Sequence, residues 1–254
     1  MKTITIHDAG ATTHVELNRP DVRNAINQLM VDELHAVCAD LERDPRILIL
    51  SGAPGPSGAV FASGADIAQL RERRRDDALA GINSSLFRRI SALPMPVIAA
   101  IDGFALGGGA ELAYAADFRI ATPQVKIGNP EAGLGILAAA GASWRLVELV
   151  GEPVAKELLL TGKVLDGAEA LALRLVTELH EPDQLIGAAF ALAERIAAQD
   201  PLAIRLTKRV LSAPRSAHPA VDDLAQGILF ESEAKFERMQ AFLDRKKDKG
   251  ASEK

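Results

Sequence analysis

Two carboxylates in this chain stand where proton chemistry is possible. Glu111 follows three consecutive glycines in "ALGGGAEL", and Glu131 follows a proline in the glycine-rich stretch "GNPEAGLG". Both stretches are otherwise poor in charge. A carboxylate pair in an apolar site divides labour, one member accepting a proton from water while the other donates one. Taken singly, each has a plainer reading. Glu111 is a charge at a helix N-terminus, where the dipole favours it, and Glu131 is a solvated loop residue. Their shared closeness to glycine turns joins them into one hypothesis.

The same junctions offer backbone donors. In "FASGADI", Gly64 follows a strand-like approach and a helix is predicted from Ala65 or Asp66. In "ALGGGAEL", Gly108 sits just before a helix predicted from Ala110. Helix N-termini carry unpaired N–H groups. If the two junctions face each other, two donors converge on one point and form an oxyanion hole, each donor worth roughly 2.7–4 kcal/mol in the transition state. Glycine costs about 0.5–1 kcal/mol relative to alanine inside a regular element, so three in a row imply a close backbone approach. Spacing alone favours the plainer account, tight packing of strand on helix. The two glutamates shift the balance towards chemistry.

Other chemistries find less support. His7, His14, His35, His180 and His218 are scattered without metal-ligand spacing. Ser57, Ser63 and Ser143 lack a nucleophile context, and no G-x-S-x-G occurs. "GFALGG" is neither a phosphate-binding loop nor a dinucleotide fingerprint. The run Arg71 to Asp77 reads as a solvated helix face, with the border of an anionic ligand as the alternative.

The elements that must position these residues can be read from the hydrophobic pattern. "KTITIHDAGATTHVELN" alternates as a hairpin turning at Asp8-Ala9-Gly10, and "INQLMVDELHAVCADLERD" has helical periodicity. "RILILSG" and "PVIAAI" are apolar runs of strand length, and "FRIATPQVKIG" reads as two short strands. The segment "RERRRDDALAGINSSLFRRISALP" is charged, then amphipathic, and stops at Pro94. From Ser143 onward the pattern is mainly helical, with a strand only near Val176–Leu179. No sequence repeat emerges. A length of 254 residues fits one large α/β domain or one domain with a helical appendage. The net charge of −5 argues against general nucleic-acid binding. A single cysteine, Cys38, excludes an intrachain disulfide. The N-terminus lacks the apolar core of a signal peptide, and no apolar stretch reads as a membrane span, so a cytoplasmic protein is expected.

The motifs "VELNRPDVRNAIN", "FASGADI", "PVIAAIDGFALGGGAELAYAAD", "GNPEAGLG" and "AFLDRKK", in this order, resemble the crotonase superfamily, the enoyl-CoA hydratase/isomerase group. The resemblance covers nearly the whole chain. It implies a spiral of ββα turns over residues 1–195 and a helical trimerisation region over 196–254, with trimers pairing into hexamers. It implies that Ala65 and Gly108 hold a thioester oxygen through their N–H groups. Glu111 would then activate the water that attacks the β-carbon, and Glu131 would deliver a proton to the α-carbon. Arg23, Asn24 and Ala25, with Ala65, Asp66, Ile67 and Ala68, match segments lining a coenzyme A groove. Arg245 or Lys246 matches a residue that reaches a phosphate on a neighbouring subunit. The implied function is hydration of a 2-trans-enoyl-CoA, with no metal and no cofactor beyond the coenzyme A of the substrate. A double-bond isomerase, another acyl-CoA enzyme of the superfamily, and an RNA-binding relative are the alternatives. The chain departs from the family at Asn129, where glutamine is common, at "LAAAGAS" in place of a "PGAGG"-like run, and at Arg174, where glycine is frequent.

Overall fold

The computed structural model describes residues 1–56 and 58–252, with side chains to residue 245; Ser57 and the Lys246 side chain lie outside the described residues. Two compact units divide the chain, one spanning Met1–Ile196 and the other beginning at Ala197.

The first unit opens with an antiparallel hairpin of β1 (Ile4–Ala9) and β2 (Thr12–Leu17), turning at Gly10-Ala11. Helix α1 (Gln28–Arg43) starts where Asn27 accepts the Met30 N–H at 3.0 Å, a side-chain cap. It buries Met30, Val31, Leu34, Val37, Cys38 and Leu41 along one face. Three similar turns of chain follow. In the first, β3 (Ile47–Gly52) and β4 (Val60–Ala62) precede α2 (Ile67–Glu72), α3 (Arg75–Ala80) and α4 (Ile82–Ser91). In the second, β5 (Val97–Ile101) and β6 (Phe104–Leu106) precede α5 (Gly108–Ala115). In the third, β7 (Phe118–Ala121) and β8 (Lys126–Gly128) precede a 3-10 turn, Pro130–Leu134. A π-helical turn, Ala142–Leu146, then leads to α6 (Val147–Val150) and α7 (Glu152–Thr161). The unit closes with β9 (Val164–Leu165), α8 (Gly167–Ala172), β10 (Glu178–Leu179) and α9 (Leu185–Ala197).

Each turn gives one strand to each of two sheets, ordered β1-β2-β3-β5-β7-β10 and β4-β6-β8-β9. From β2 to β10 the large sheet is parallel, with Ile49 beside Ile98 and Ile98 beside Phe118. Strands buried on both faces must be apolar throughout, which is why "ILIL" and "VIAAI" do not alternate: all their residues are buried. In the small sheet β4, β6 and β8 run parallel, and β9 closes the edge antiparallel. The result is a mixed α/β spiral of ββα turns.

Several local expectations are corrected. The segment after Leu70 is not one amphipathic run; it breaks at Arg73-Arg74 and again at Gly81, whose φ of +62° ends one helix and begins the next. Helix α5 begins at Gly108, earlier than Ala110, and α2 begins at Ile67, later than Ala65. Strand β9 has no counterpart in the sequence reading, because two residues carry no periodicity. Arg174 adopts φ +59°, a left-handed conformation that explains why glycine would be at ease there. The structural repetition left no sequence repeat because the three turns share strand geometry, not residues.

The second unit contains α10 (Pro201–Leu211), α11 (Ala220–Phe230) and α12 (Glu233–Ser252). Asp200 caps α10 by accepting the Ala203 N–H at 2.8 Å. Among the described residues no helix is long and apolar enough to cross a membrane.

Helix α5 is buried along its whole length and rests against β4 through Gly109. A Cβ on Gly109 would lie 2.1 Å from the Ala62 carbonyl oxygen, so nothing larger than hydrogen fits. Gly109→Ala should therefore cost at least about 1–3 kcal/mol, the range for overpacking a core. Gly187→Ala in α9, where among the described residues nothing beyond the neighbouring backbone of its own helix lies within 4 Å of the added methyl, should cost nothing. Urea midpoints of the two variants check this, and equal midpoints would show that the contact is not tight.

Candidate active site

Each glycine of the triplet has its own reason. Gly107 has φ +52° and ψ −123°, outside the regions that side-chain-bearing residues favour, and its N–H ties β6 to β8 through the Gly128 carbonyl at 2.9 Å. A Cβ there would also sit 2.9 Å from Glu131 Oε1. Gly109 is fixed by the Ala62 carbonyl. Between them, Gly108 opens α5, and a Cβ on it would lie 3.3 Å from the Ala65 nitrogen and 3.4 Å from Asn83 Nδ2. The Cβ direction of Gly64 in turn passes 3.8 Å from the Gly108 nitrogen. The two junctions do face each other.

Ala65 does not gain its donor from a helix. It stands before Asp66, which is the N-cap of α2 and accepts the Gln69 N–H while pairing with Arg19 at 3.2 Å. Ala65 instead lies on an extended link bridged to Ile26: Ile26 donates to the Gly64 carbonyl at 2.8 Å and Asp66 donates to the Ile26 carbonyl at 2.9 Å. That pattern points the Ala65 N–H away from Ile26. Among the described residues, neither the Ala65 nor the Gly108 N–H meets a protein acceptor.

Glu111 and Glu131 reach the same cavity, of about 500 Å³, with Ala65 and Gly108 on its wall. Its volume falls in the range of small-molecule sites. Both carboxylates are nearly buried, Glu111 4% and Glu131 8% exposed. Glu111 sits in the first turn of α5, and its Oε1 accepts the N–H groups of Ala140 and Ala142 at 2.7 and 3.1 Å. Burial raises its pKa to about 7, with the Glu131 charge adding to the rise and the loop N–H groups opposing it. Glu131 is held in the turn after β8. Burial raises its pKa also, and only an Asn129 Nδ2 contact at 3.5 Å favours its charge from a side chain. Its Oε2 is buried with no hydrogen-bond partner among the described residues. A buried pair of this kind titrates as a unit.

Residues that sequence reasoning passed over hold this arrangement. Tyr114, fully buried, donates its hydroxyl to Asn129 Oδ1 at 3.0 Å. That fixes the amide so that Nδ2 faces the Gly107 carbonyl at 3.4 Å and Glu131 Oε1. A signal was available: Tyr114 is the chain's single tyrosine, placed in an alanine-rich helix three residues after Glu111. Asn83, at the start of α4, lines the cavity with its Oδ1 buried and without a hydrogen-bond partner among the described residues.

The other expected binding residues lie elsewhere. Ile67 lines the cavity, but Arg23, Asn24, Ala25, Asp66 and Ala68 are not on its wall. Asn24 is buried and spends its amide on the Ala53 and Val60 carbonyls at 2.9 and 2.8 Å, pinning the loop before α1 to β4. Arg23 is exposed in a left-handed conformation beside it. In the second unit, Arg245 is exposed and donates to the Ala241 carbonyl at 3.2 Å.

A family model described as enoyl-CoA hydratase/isomerase matches residues 8–250. The short-chain-enoyl-CoA hydratase of Clostridium acetobutylicum is 34% identical, with 98% of each chain covered. The crotonyl-CoA hydratase of Syntrophomonas wolfei is 36% identical over 91% of each chain. Among solved structures, an enoyl-CoA hydratase from Bacillus anthracis superposes with a TM-score of 0.90 at 30% identity, covering 96% of this chain and 97% of that one. An enoyl-CoA hydratase subunit from Geobacillus kaustophilus gives 0.88 at 34% identity, with 96% and 95% covered. With its ββα spiral, its facing glycine junctions and these relatives, the chain belongs to the enoyl-CoA hydratase/isomerase family, within the crotonase superfamily.

Proposed function

We propose that this protein hydrates 2-trans-enoyl-CoA thioesters to 3-hydroxyacyl-CoA. The observation that carries the reading is the convergence of two unpaired backbone donors and two buried carboxylates on one cavity. The thioester oxygen is taken by the Ala65 and Gly108 N–H groups, which stabilise the enolate that forms when water adds to the β-carbon. Glu111 accepts the proton of that water, and the Ala140 and Ala142 N–H groups favour its charged form. Glu131 supplies the proton to the α-carbon from Oε2, the oxygen without a protein partner. Coenzyme A enters as part of the substrate, along the exposed Arg23 and the segment Ala65 to Ala68, while the buried Asn24 holds that loop in place, and no metal or redox cofactor takes part. Its relatives' names support the substrate class. The exposed Leu224, Ile228, Phe236, Met239 and Phe242 of the second unit support self-association as a trimer or hexamer. We place the protein in the cytoplasm, with no nucleic-acid partner.

Three outcomes test this reading. Acid–base groups contribute about 10²–10⁴-fold, so Glu111→Gln and Glu131→Gln should each lower kcat for crotonyl-CoA hydration at least about 100-fold. The double variant should be little worse than the poorer single one, since residues acting together are non-additive. Near-normal hydration by either single variant removes that glutamate from the mechanism; double-bond migration without hydration would make the protein an isomerase.

Stability should carry the signature of the raised Glu111 pKa. The folded state binds a proton that the unfolded chain releases between the ordinary 4.5 and about 7. This contribution is therefore complete below about pH 4.5 and is lost as pH rises through 7. Glu111→Gln escapes the loss and should exceed the unmodified protein in stability at pH 8, by up to about 3 kcal/mol, but not at pH 4.5. Urea unfolding at the two pH values measures the difference, and a pH-independent difference would show that Glu111 is not strained by burial.

Light scattering should find particles of about three or six chains, as closed rings of repeated interfaces require. A fully active monomer would refute self-association.

A further inference from the structure

Arg73 and Arg74 occupy the break between α2 and α3 and line the same cavity as the two glutamates. Their sequence neighbours are paired, Arg71 with Glu72 at 4.0 Å and Arg75 with Asp76 at 3.3 Å. Among the described residues no carboxylate pairs with the Arg73 or Arg74 guanidinium. Asp77 also lines the cavity, but it is engaged at the helix start, accepting the Arg74 backbone N–H at 2.8 Å. The wall they share with Ala65 and Gly108 is largely apolar, carrying Leu70, Ile82, Leu134, Ile136 and Leu137, with Asn83 and Ser84 among its polar members. Arg73 is only partly exposed, so its charge is not simply spread into bulk solvent.

Position decides what these cations can meet. The six residues of α2 carry the chain roughly 9 Å away from Ala65 before Arg73 is reached. Residues 23–25, matched to the coenzyme A groove, are not on this wall. A thioester carbonyl seated on Ala65 and Gly108 therefore sends its acyl chain past the apolar wall towards Arg73 and Arg74. A plain alkyl chain would leave two cations facing hydrocarbon, whereas a terminal carboxylate matches the planar, two-pronged donor set of a guanidinium.

We propose that the protein prefers acyl thioesters whose far end carries a carboxylate, with Arg73 and Arg74 as the recognition pair. The inference rests on the seating of the thioester described above, and it deepens that reading by naming the acyl class.

Binding of saturated analogues separates the two claims because no turnover is needed. Calorimetry of the full-length protein would compare glutaryl-CoA and adipyl-CoA with pentanoyl-CoA and hexanoyl-CoA. At the better of the two lengths, the carboxylated thioester should bind at least about tenfold tighter, the worth of a hydrogen-bonded charge. The Arg73→Gln/Arg74→Gln variant should lose that preference, binding the alkyl thioesters no more weakly than the unmodified protein does. Equal binding of the two classes, or a preference that survives in the double variant, would overturn the assignment. Hydration of crotonyl-CoA by the unmodified protein is read in parallel. Its absence with the preference intact sinks the hydratase reading alone, and its presence without the preference sinks only the carboxylate assignment.

Discussion

The site depends on one contact that leaves no room for a side chain. At Gly109 the first turn of α5 lies directly on the Ala62 carbonyl at the end of β4. That contact fixes where α5 starts, and hence where the Gly108 N–H and the Glu111 side chain are presented. It also brings two segments far apart in sequence, 62–65 and 107–111, side by side on the wall of one cavity. Gly107 completes the arrangement by linking β6 to β8 and by leaving space for the Glu131 carboxylate. A backbone made to approach this closely can place its N–H donors without help from any side chain.

The electrostatics follow from the same packing. Carboxylates this buried are held away from their ordinary ionisation range by lost hydration. The environment is uneven: Glu111 has loop N–H groups on one oxygen, whereas Glu131 has one oxygen without a partner among the described residues. Such an unpaired buried atom typically costs about 1–3 kcal/mol, and stability alone would not retain it. The Tyr114–Asn129 hydrogen bond is the complement to this strain. It is a neutral link that fixes an amide beside Glu131 without adding charge.

Much of this was legible in the sequence, for identifiable reasons. The apolar runs of β3 and β5 read as strands, and Asp66 stood near a helix start. The triple glycine announced a close approach, though not that its three members serve three different contacts. Ala65 was legible only as part of a helix start, because bridging to Ile26 joins residues with no local relation. The break of the Arg71–Asp77 run was hidden in its charge: periodicity cannot register a helix that stops for two residues and resumes. Tyr114 looked ordinary, and Asn129 stood out only as a departure from the family's glutamine, because their pairing crosses fifteen residues and two turns of the spiral.

The spiral also sets a unit of length for the chemistry. Ala65 follows β4, Gly108 follows β6 and Glu131 follows β8, and these strands are successive rungs of one parallel ladder. Neighbouring rungs are about 4.8 Å apart because backbone hydrogen bonds fix that pitch. The spacing of the donors and the third-turn carboxylate is thus quantised by the main chain and insulated from drift in side-chain identity. What can vary freely is the loop that leaves each rung. A single scaffold of this kind can keep the spacing of these backbone groups constant while the surrounding loops are rewritten.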